Sequence, residues 1–177
     1  MTRPTRRTTI AVTAVALISL GAVAGAGSAG AETPQSAEQA RDGCISLLTQ
    51  TIRALPAGTS LELRSGGARQ NNWTDPVNML IPPLRTDTYS AEYDVREYPG
   101  SPDYAEATST AFTDFGWSAD TEVSADRVVI KVYATAPDGY QLTATSSPYV
   151  TWLSCTAPAY MGFGRGDIGG TPQTITQ

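Results

Sequence analysis

Small and apolar residues recur at intervals of three and four between positions 36 and 55, which predicts an amphipathic helix. Ser36 is suited to cap its start, with Gln39 as a capping-box partner, and Pro56 ends it because proline cannot continue a helix. The stripe comprises Ala37, Ala40, Cys44, Leu47, Leu48, Ile52 and Leu55. Cys44 is therefore expected to face the core.

A second stripe after Ser101 predicts another helix of the same kind. Ser101 is a suitable N-cap, and Pro102 occupies the first helical position, where its missing N–H costs nothing. Gly116 is a natural C-terminal stop. The stripe consists of Tyr104, Ala107, Thr108, Ala111, Phe112 and Phe115.

Alternating apolar and polar residues, together with runs rich in β-branched and aromatic ones, predict the strands. Five segments have this pattern, at residues 60–65, 89–98, 127–135, 140–145 and 149–155. In the second of them, Glu92 and Asp94 share the face opposite to Tyr93. Residues 66–76 are polar and glycine-rich, which is typical of a surface loop, and residues 77–84 favour a helical turn or an extended connector.

The order α-β-β-α-β-β-β predicts an α+β fold in which both helices pack on one face of a mainly antiparallel sheet of about five strands. The other sheet face would then meet water. One domain is expected over residues 32–161. Residues 162–177 are glycine-rich and have no periodicity, so they are predicted to be a disordered tail.

Residues 1–31 have the three parts of a secretory signal peptide. These are a basic start with Arg3, Arg6 and Arg7, an apolar run over residues 10–23, and the exit Ala29-Gly30-Ala31. Cleavage after Ala31 would release the protein outside the cytoplasm or into the cell envelope, without stable membrane insertion. The alternative is an uncleaved membrane anchor. The general secretory route is favoured over twin-arginine export, because Thr8-Thr9-Ile10 fits the twin-arginine signal only partly.

Loss of the three leader arginines leaves nine of the 12 basic residues against 17 acidic ones, a formal charge of −8. This balance opposes binding to nucleic acid and to anionic lipid. A soluble monomer is expected. Partners would then be an envelope or extracellular protein or a glycan.

The chain contains two cysteines, Cys44 and Cys155, so one intramolecular pairing is possible. This disulfide would join the first helix to the last strand. Two reduced thiols and an intermolecular disulfide are the alternatives. Export and the core-facing position of Cys44 favour the intramolecular bond.

The chain has no histidine, which excludes Ser-His-Asp and Cys-His catalysis and removes the commonest metal ligand. No catalytic residue, metal or cofactor is assigned. Glu92 and Asp94, about 7 Å apart along one strand face, could serve in glycoside hydrolysis, or they could simply be solvated. Asp120, Glu122 and Asp126 could bind calcium weakly, but a plain acidic turn is favoured because their spacing matches no EF-hand loop.

Aromatic residues near predicted loops are possible binding residues, because such side chains can stack on sugars or anchor a partner. Trp73 lies in the polar loop, and Tyr98 and Trp117 border the second helix. Trp117 could instead fold back into the core. Trp152, within the last strand, is predicted to be a core residue.

The C-terminal hairpin has Asp138-Gly139-Tyr140, then Leu142 and a closing Cys155. With the helix and strand order before it, residues 36–158 resemble small exported actinobacterial proteins, including lipoproteins of the LppA type. The resemblance implies an extracytoplasmic α+β domain of undefined function and assigns no catalytic residue. Those lipoproteins carry an acylated cysteine, whereas here Cys44 follows Arg41-Asp42-Gly43, far beyond the apolar run.

Three functions are compatible with these patterns. The favoured one is a secreted or cell-envelope domain that binds a partner without catalysis, through Trp73, Tyr98, Trp117, Glu92 or Asp94. The alternatives are a carboxylate-dependent hydrolase that acts on an envelope polysaccharide and a structural envelope component.

Overall fold

A computed structural model describes residues 36–71, 86–98, 101–136, 138–161 and 169–177. The predicted signal peptide, Trp73 and the predicted connector at residues 77–84 lie outside these ranges. Neither of the helices found within them has the length and apolar character needed to cross a membrane.

Two helices and eight strands make up the described fold. They are α1 (Ala37–Arg53), β1 (Ser60–Asn71), β2 (Thr86–Arg96), α2 (Pro102–Asp114), β3 (Ser118–Val123), β4 (Ile130–Thr135), β5 (Gln141–Ser146), β6 (Thr151–Thr156), β7 (Tyr160–Met161) and β8 (Thr174–Thr176). The α+β class is therefore confirmed.

The strands form one antiparallel sheet in the order β3-β4-β5-β6-β2-β1-β8, with β7 pairing beside it on β2. The prediction of about five strands was wrong, because β3, β7 and β8 were not anticipated. All six residues of β3 are exposed, so it has no apolar alternation that a sequence pattern could show. The strands β7 and β8 have two and three residues, too few for a periodic signal.

Both helices lie against the same face of the sheet, α1 over β1, β2 and β6, and α2 over β3, β4 and β5. The first helix begins as predicted, since Ser36 Oγ accepts from the Gln39 N–H at 3.2 Å. The side chain of Ser101 makes no such cap for α2. Its carbonyl oxygen instead accepts from Ser146 Oγ at 2.8 Å, which links the helix start to the end of β5.

The predicted loop at residues 66–76 was wrong over its first part, because β1 continues to Asn71, which pairs with Thr86 of β2. Backbone pairing with a neighbouring strand does not depend on side-chain alternation, so a polar, glycine-rich stretch can still form a strand. The register shifts between Leu63 and Ser65, where a bulge leaves Arg64 without a partner residue on β2.

The predicted disordered tail was wrong for residues 169–177, whereas residues 162–168 lie outside the described ranges. β8 pairs with the start of β1, and Ile175 is buried. Before β8, the Pro172 carbonyl accepts from Tyr93 Oη at 3.0 Å and the Gln173 carbonyl accepts from the Leu63 N–H at 2.8 Å. These contacts order a segment whose own sequence has little structural preference.

The disulfide between Cys44 of α1 and Cys155 of β6 is confirmed, with a Cα–Cα distance of 5.6 Å. Both cysteines are fully buried. Since the chain has no other cysteine, the reduced and intermolecular alternatives do not apply to this structure. The bond fastens α1 to β6. Because both helices lie on the same side of the sheet, neither of them covers the opposite face.

Candidate functional site

The sheet face turned away from the helices, here called the open face, presents two rows of side chains that run across the strands. Strand register places the first row as Glu62, Asp94, Trp152, Thr145, Lys131 and Glu122. The second row is Ser65, Glu92, Ser154, Thr143, Tyr133 and Asp120. Residues of β2 and β6 alternate between buried core positions and these partly exposed ones.

Arg64 joins three residues of the open face. Its Nη1 lies 3.2 Å from Glu92 Oε1 and 3.8 Å from Asp94 Oδ1, and its Cζ lies 5.4 Å from the centre of the Trp152 ring. The Arg64 side chain is 47% exposed, so these contacts form at the protein surface. The Arg64 guanidinium thus interacts with two carboxylates and an indole ring, which brings the side chains of Arg64, Glu92, Asp94 and Trp152 into one cluster.

Asp94 Oδ1 is shielded from solvent and forms no hydrogen bond with any residue that the structure describes. Its distance of 3.8 Å from Arg64 Nη1 permits electrostatic attraction but exceeds hydrogen-bond length. This oxygen is therefore buried beside the Arg64 guanidinium, whose positive charge offsets part of its lost solvation.

Tyr133 lies on the same face, two strands away from Trp152. Its hydroxyl donates to Glu122 Oε2 at 2.8 Å. This hydrogen bond to a carboxylate favours the protonated phenol and so raises the pKa of Tyr133. The ring remains exposed, whereas the hydroxyl is held in place.

Glu92 and Asp94 share a face as predicted, and the structure adds Arg64 and Trp152 to them. The prediction that Trp152 is a core residue was wrong, because it lies on the open face. Leu153 and Cys155 point into the core, so the two-residue period of a strand turns Trp152 to the other side. The same alternation could have placed it from the sequence.

Trp117 is packed in the core. This placement is the alternative to a binding role that the sequence left open. The backbone N–H of Trp117 donates to the Phe112 carbonyl at 3.0 Å, and Gly116 has a φ of 74°. Both features are expected where a helix ends in a Schellman motif. The Trp117 ring lies 5.4 Å from Phe112 and 4.9 Å from Phe115, measured between ring centres. This packing leaves 8% of Trp117 exposed.

Tyr98 follows β2 and is not part of the open face. Its ring packs against Tyr104 with 5.6 Å between centres, and its carbonyl accepts from Thr151 Oγ1 at 2.6 Å. The structure thus separates Tyr98 and Trp117 from the pair formed by Glu92 and Asp94.

The acidic segment around Asp120 is divided between a strand and a turn. Asp120 and Glu122 belong to β3, whereas Asp126 Oδ1 accepts from Ser124 Oγ at 2.5 Å and from the Val128 N–H at 3.1 Å. These two hydrogen bonds lower the pKa of Asp126. Across the described ranges, no three acidic or cysteine side chains converge in a way that could hold a metal ion.

No family model matches the chain, and no curated protein matches it. Among solved structures, a DUF4853 family protein from Actinomyces odontolyticus is similar in part, with a TM-score of 0.49 and 11% sequence identity. The alignment covers 75% of this chain and 72% of that chain. The resemblance to LppA-type lipoproteins stays a prediction.

Proposed function

We propose that this chain is an extracytoplasmic domain that binds a partner through its open face and performs no catalysis. The observation that carries the proposal is the cluster of Arg64, Glu92, Asp94 and Trp152, which combines an aromatic ring with charges of both signs on a sheet face that neither helix covers. Tryptophan and arginine side chains are among those that most often anchor a partner at a binding surface.

The arrangement of the carboxylates favours binding over hydrolysis. A glycosidase needs one carboxyl group kept protonated by an apolar environment and a second one across a cleft. Glu92 and Asp94 are instead adjacent on one strand, 35% and 31% exposed, and both face the Arg64 guanidinium. This geometry is suited to holding hydrogen-bond acceptors at a surface.

An extracytoplasmic location is supported by the buried disulfide and by the leader-like residues 1–31. Disulfides form and persist in oxidising compartments and are rare in the cytosol. The expected mature protein would begin at Glu32, carry the bond and be found in the medium or on the cell surface. Mass spectrometry of exported protein would measure both the N-terminus and the state of the two thiols.

Binding can be tested by sedimenting labelled exported protein with washed cell envelopes. We expect saturable binding that falls about tenfold or more in Arg64→Ala and Trp152→Ala, because these variants remove a recognition residue. Gln50→Ala is the matched control, since this exposed residue lies on α1, across the sheet from the open face. Equal binding by all four proteins would contradict a role for the open face.

Catalysis can be tested separately with the double variant Glu92→Gln/Asp94→Asn. If wild-type protein releases reducing sugar from envelopes and the double variant does not, the chain is a hydrolase and the proposal is wrong. Unchanged envelope architecture in a deletion strain would argue against a structural role.

A further inference from the structure

The centre of the open face is a strip of small hydroxyl side chains with an aromatic residue at either side. Thr143 of β5 and Ser154 of β6 lie side by side in the second row. Trp152 also belongs to β6, two residues before Ser154, and lies in the first row. Tyr133 belongs to β4 and pairs with Thr143. Tyr133 and Trp152 are separated by two strand spacings across the sheet and by two residues along the strand direction. This separation places their Cα atoms about 12 Å from each other.

This spacing and these residue types are suited to a chain of sugar rings. Each ring has an apolar C–H face, which packs on aromatic rings, and a rim of hydroxyls, which are both donors and acceptors. The open face supplies aromatic side chains in Trp152 and Tyr133, donors in the Arg64 guanidinium, and acceptors in Glu92 and Asp94.

The charges of the open face favour an uncharged polymer. Its acidic residues are Glu62, Glu92, Asp94, Asp120 and Glu122, and its basic ones are Arg64, Arg96 and Lys131. The excess of carboxylates would repel a polyanion, in line with the formal charge of −5 for the whole chain.

A protein partner fits this face less well than a glycan does. Extended peptides add to the edge of a sheet, and stable protein interfaces have an apolar centre. Here the large side chains of the two rows are charged except for Trp152 and Tyr133, with small hydroxyl residues between them.

We propose that the open face binds a neutral polysaccharide along the strip between Trp152 and Tyr133. This inference rests on the proposed function and names its partner class.

The test is native gel electrophoresis of the full exported chain through gels that contain one polysaccharide each. The probes are xylan, galactomannan and mixed-linkage β-glucan as neutral polymers, and polygalacturonate as the anionic one. We expect at least one neutral polymer to retard the protein and polygalacturonate to have no effect. Trp152→Ala and Tyr133→Ala should each weaken the retardation about tenfold, since an aromatic platform is lost.

Tyr149→Ala is the matched control, because Tyr149 is 90% exposed in the turn between β5 and β6 and is not part of either row. Tyr133→Phe retains the ring and should bind nearly as wild type. Far-UV circular dichroism of every variant shows whether it is folded, and Trp152→Leu, which also lacks an aromatic ring, replaces Trp152→Ala if the latter is not.

Three results would overturn the inference. They are the absence of retardation by all three neutral polymers, retardation by polygalacturonate alone, and equal retardation of wild type and both aromatic variants. If envelope binding still depends on Trp152 while no neutral polymer retards the protein, the proposed function stands and only the glycan is wrong. If neither assay detects binding, both proposals fail.

Discussion

The side-chain amide of Gln177 closes the end of α1 by donating to the Ile52 carbonyl oxygen at 2.6 Å. The same nitrogen lies 2.9 and 3.0 Å from the carbonyl oxygens of Leu55 and Pro56, so its two hydrogens are shared among three acceptors. Gln177 Oε1 accepts from the Gly58 N–H at 2.9 Å. Carbonyls near a helix end lack partners within the helix, so a single amide side chain satisfies several polar groups at once.

Replacing Gln177 should therefore destabilise the protein although the residue is exposed. We expect Gln177→Ala to lower the free energy of unfolding by about 1 kcal/mol. Gln177→Glu should cost more, because its negative charge would face carbonyl oxygens at the negative end of the helix dipole. Urea denaturation measures both. Gln173→Ala is the control, since Gln173 is exposed and uses its backbone carbonyl; a cost equal to that of Gln177→Ala would contradict the prediction.

Glycine is required at position 43 because the Tyr140 side chain occupies the space that a Cβ would need. A Cβ at this position would lie 2.5 Å from Tyr140 Cζ and closer still to its Oη. We expect Gly43→Ala to destabilise the protein by about 1–3 kcal/mol, despite the gain of up to about 1 kcal/mol from removing a helical glycine. In a Tyr140→Ala background, the same substitution should become neutral or stabilising. Equal costs in both backgrounds, measured by urea denaturation, would show that Tyr140 is not the cause.

The disulfide should contribute a large part of the stability. Cys44 and Cys155 are 111 residues apart, and closing a loop of this length is worth about 4–5 kcal/mol in the loop-entropy model. The double variant Cys44→Ala/Cys155→Ala should lose about that amount in urea denaturation. A reductant should destabilise the wild type and leave the variant unchanged. Exported wild-type protein with two alkylatable thiols would contradict the bond.

Stability should decrease at alkaline pH because of two buried tyrosines. Burial raises the pKa of Tyr104 and of Tyr93 well above the ordinary value near 10. Above about pH 10 the unfolded chain releases these protons while the folded protein still holds them, so unfolding becomes more favourable. The contribution of the two tyrosines to the free energy of unfolding is complete below about pH 10. It is lost as the pH rises towards the pKa values that the tyrosines have in the folded protein.

Tyr104→Phe tests this prediction, because the Tyr104 hydroxyl forms no hydrogen bond with the described part of the chain. We expect the variant to be as stable as wild type at pH 7, or more stable by up to about 1 kcal/mol. Between pH 9 and pH 11 it should lose about 1.4 kcal/mol less stability than wild type, because wild type has one more tyrosine that releases its proton only in the unfolded chain. Equal slopes in urea denaturation across this range would contradict a raised pKa at Tyr104.

The helices could be predicted because their signals are local. The spacing around Cys44 and Leu48, with Ser36 before it, specifies both the extent of α1 and its buried side. The alternation in β2 likewise placed Glu92 and Asp94 on the face opposite to Tyr93. The same alternation applied to β6 would have turned Trp152 outward.

Arg64 could not be assigned to the site in this way. The bulge between Leu63 and Ser65 interrupts the alternation of β1, and only the packing of β1 on β2 brings the guanidinium to Glu92, Asp94 and Trp152.

By itself, the sequence determined the α+β class, the course of both helices, the core face of β2 and the one intramolecular pairing open to Cys44 and Cys155, because each depends on residue type, cysteine count or short-range period. The tertiary structure decided the extension of β1 to Asn71, the three unforeseen strands, the order of residues 169–177 and the cluster around Arg64. These features are stabilised by contacts between residues distant in the chain, and such contacts leave no periodic trace in the segments that make them.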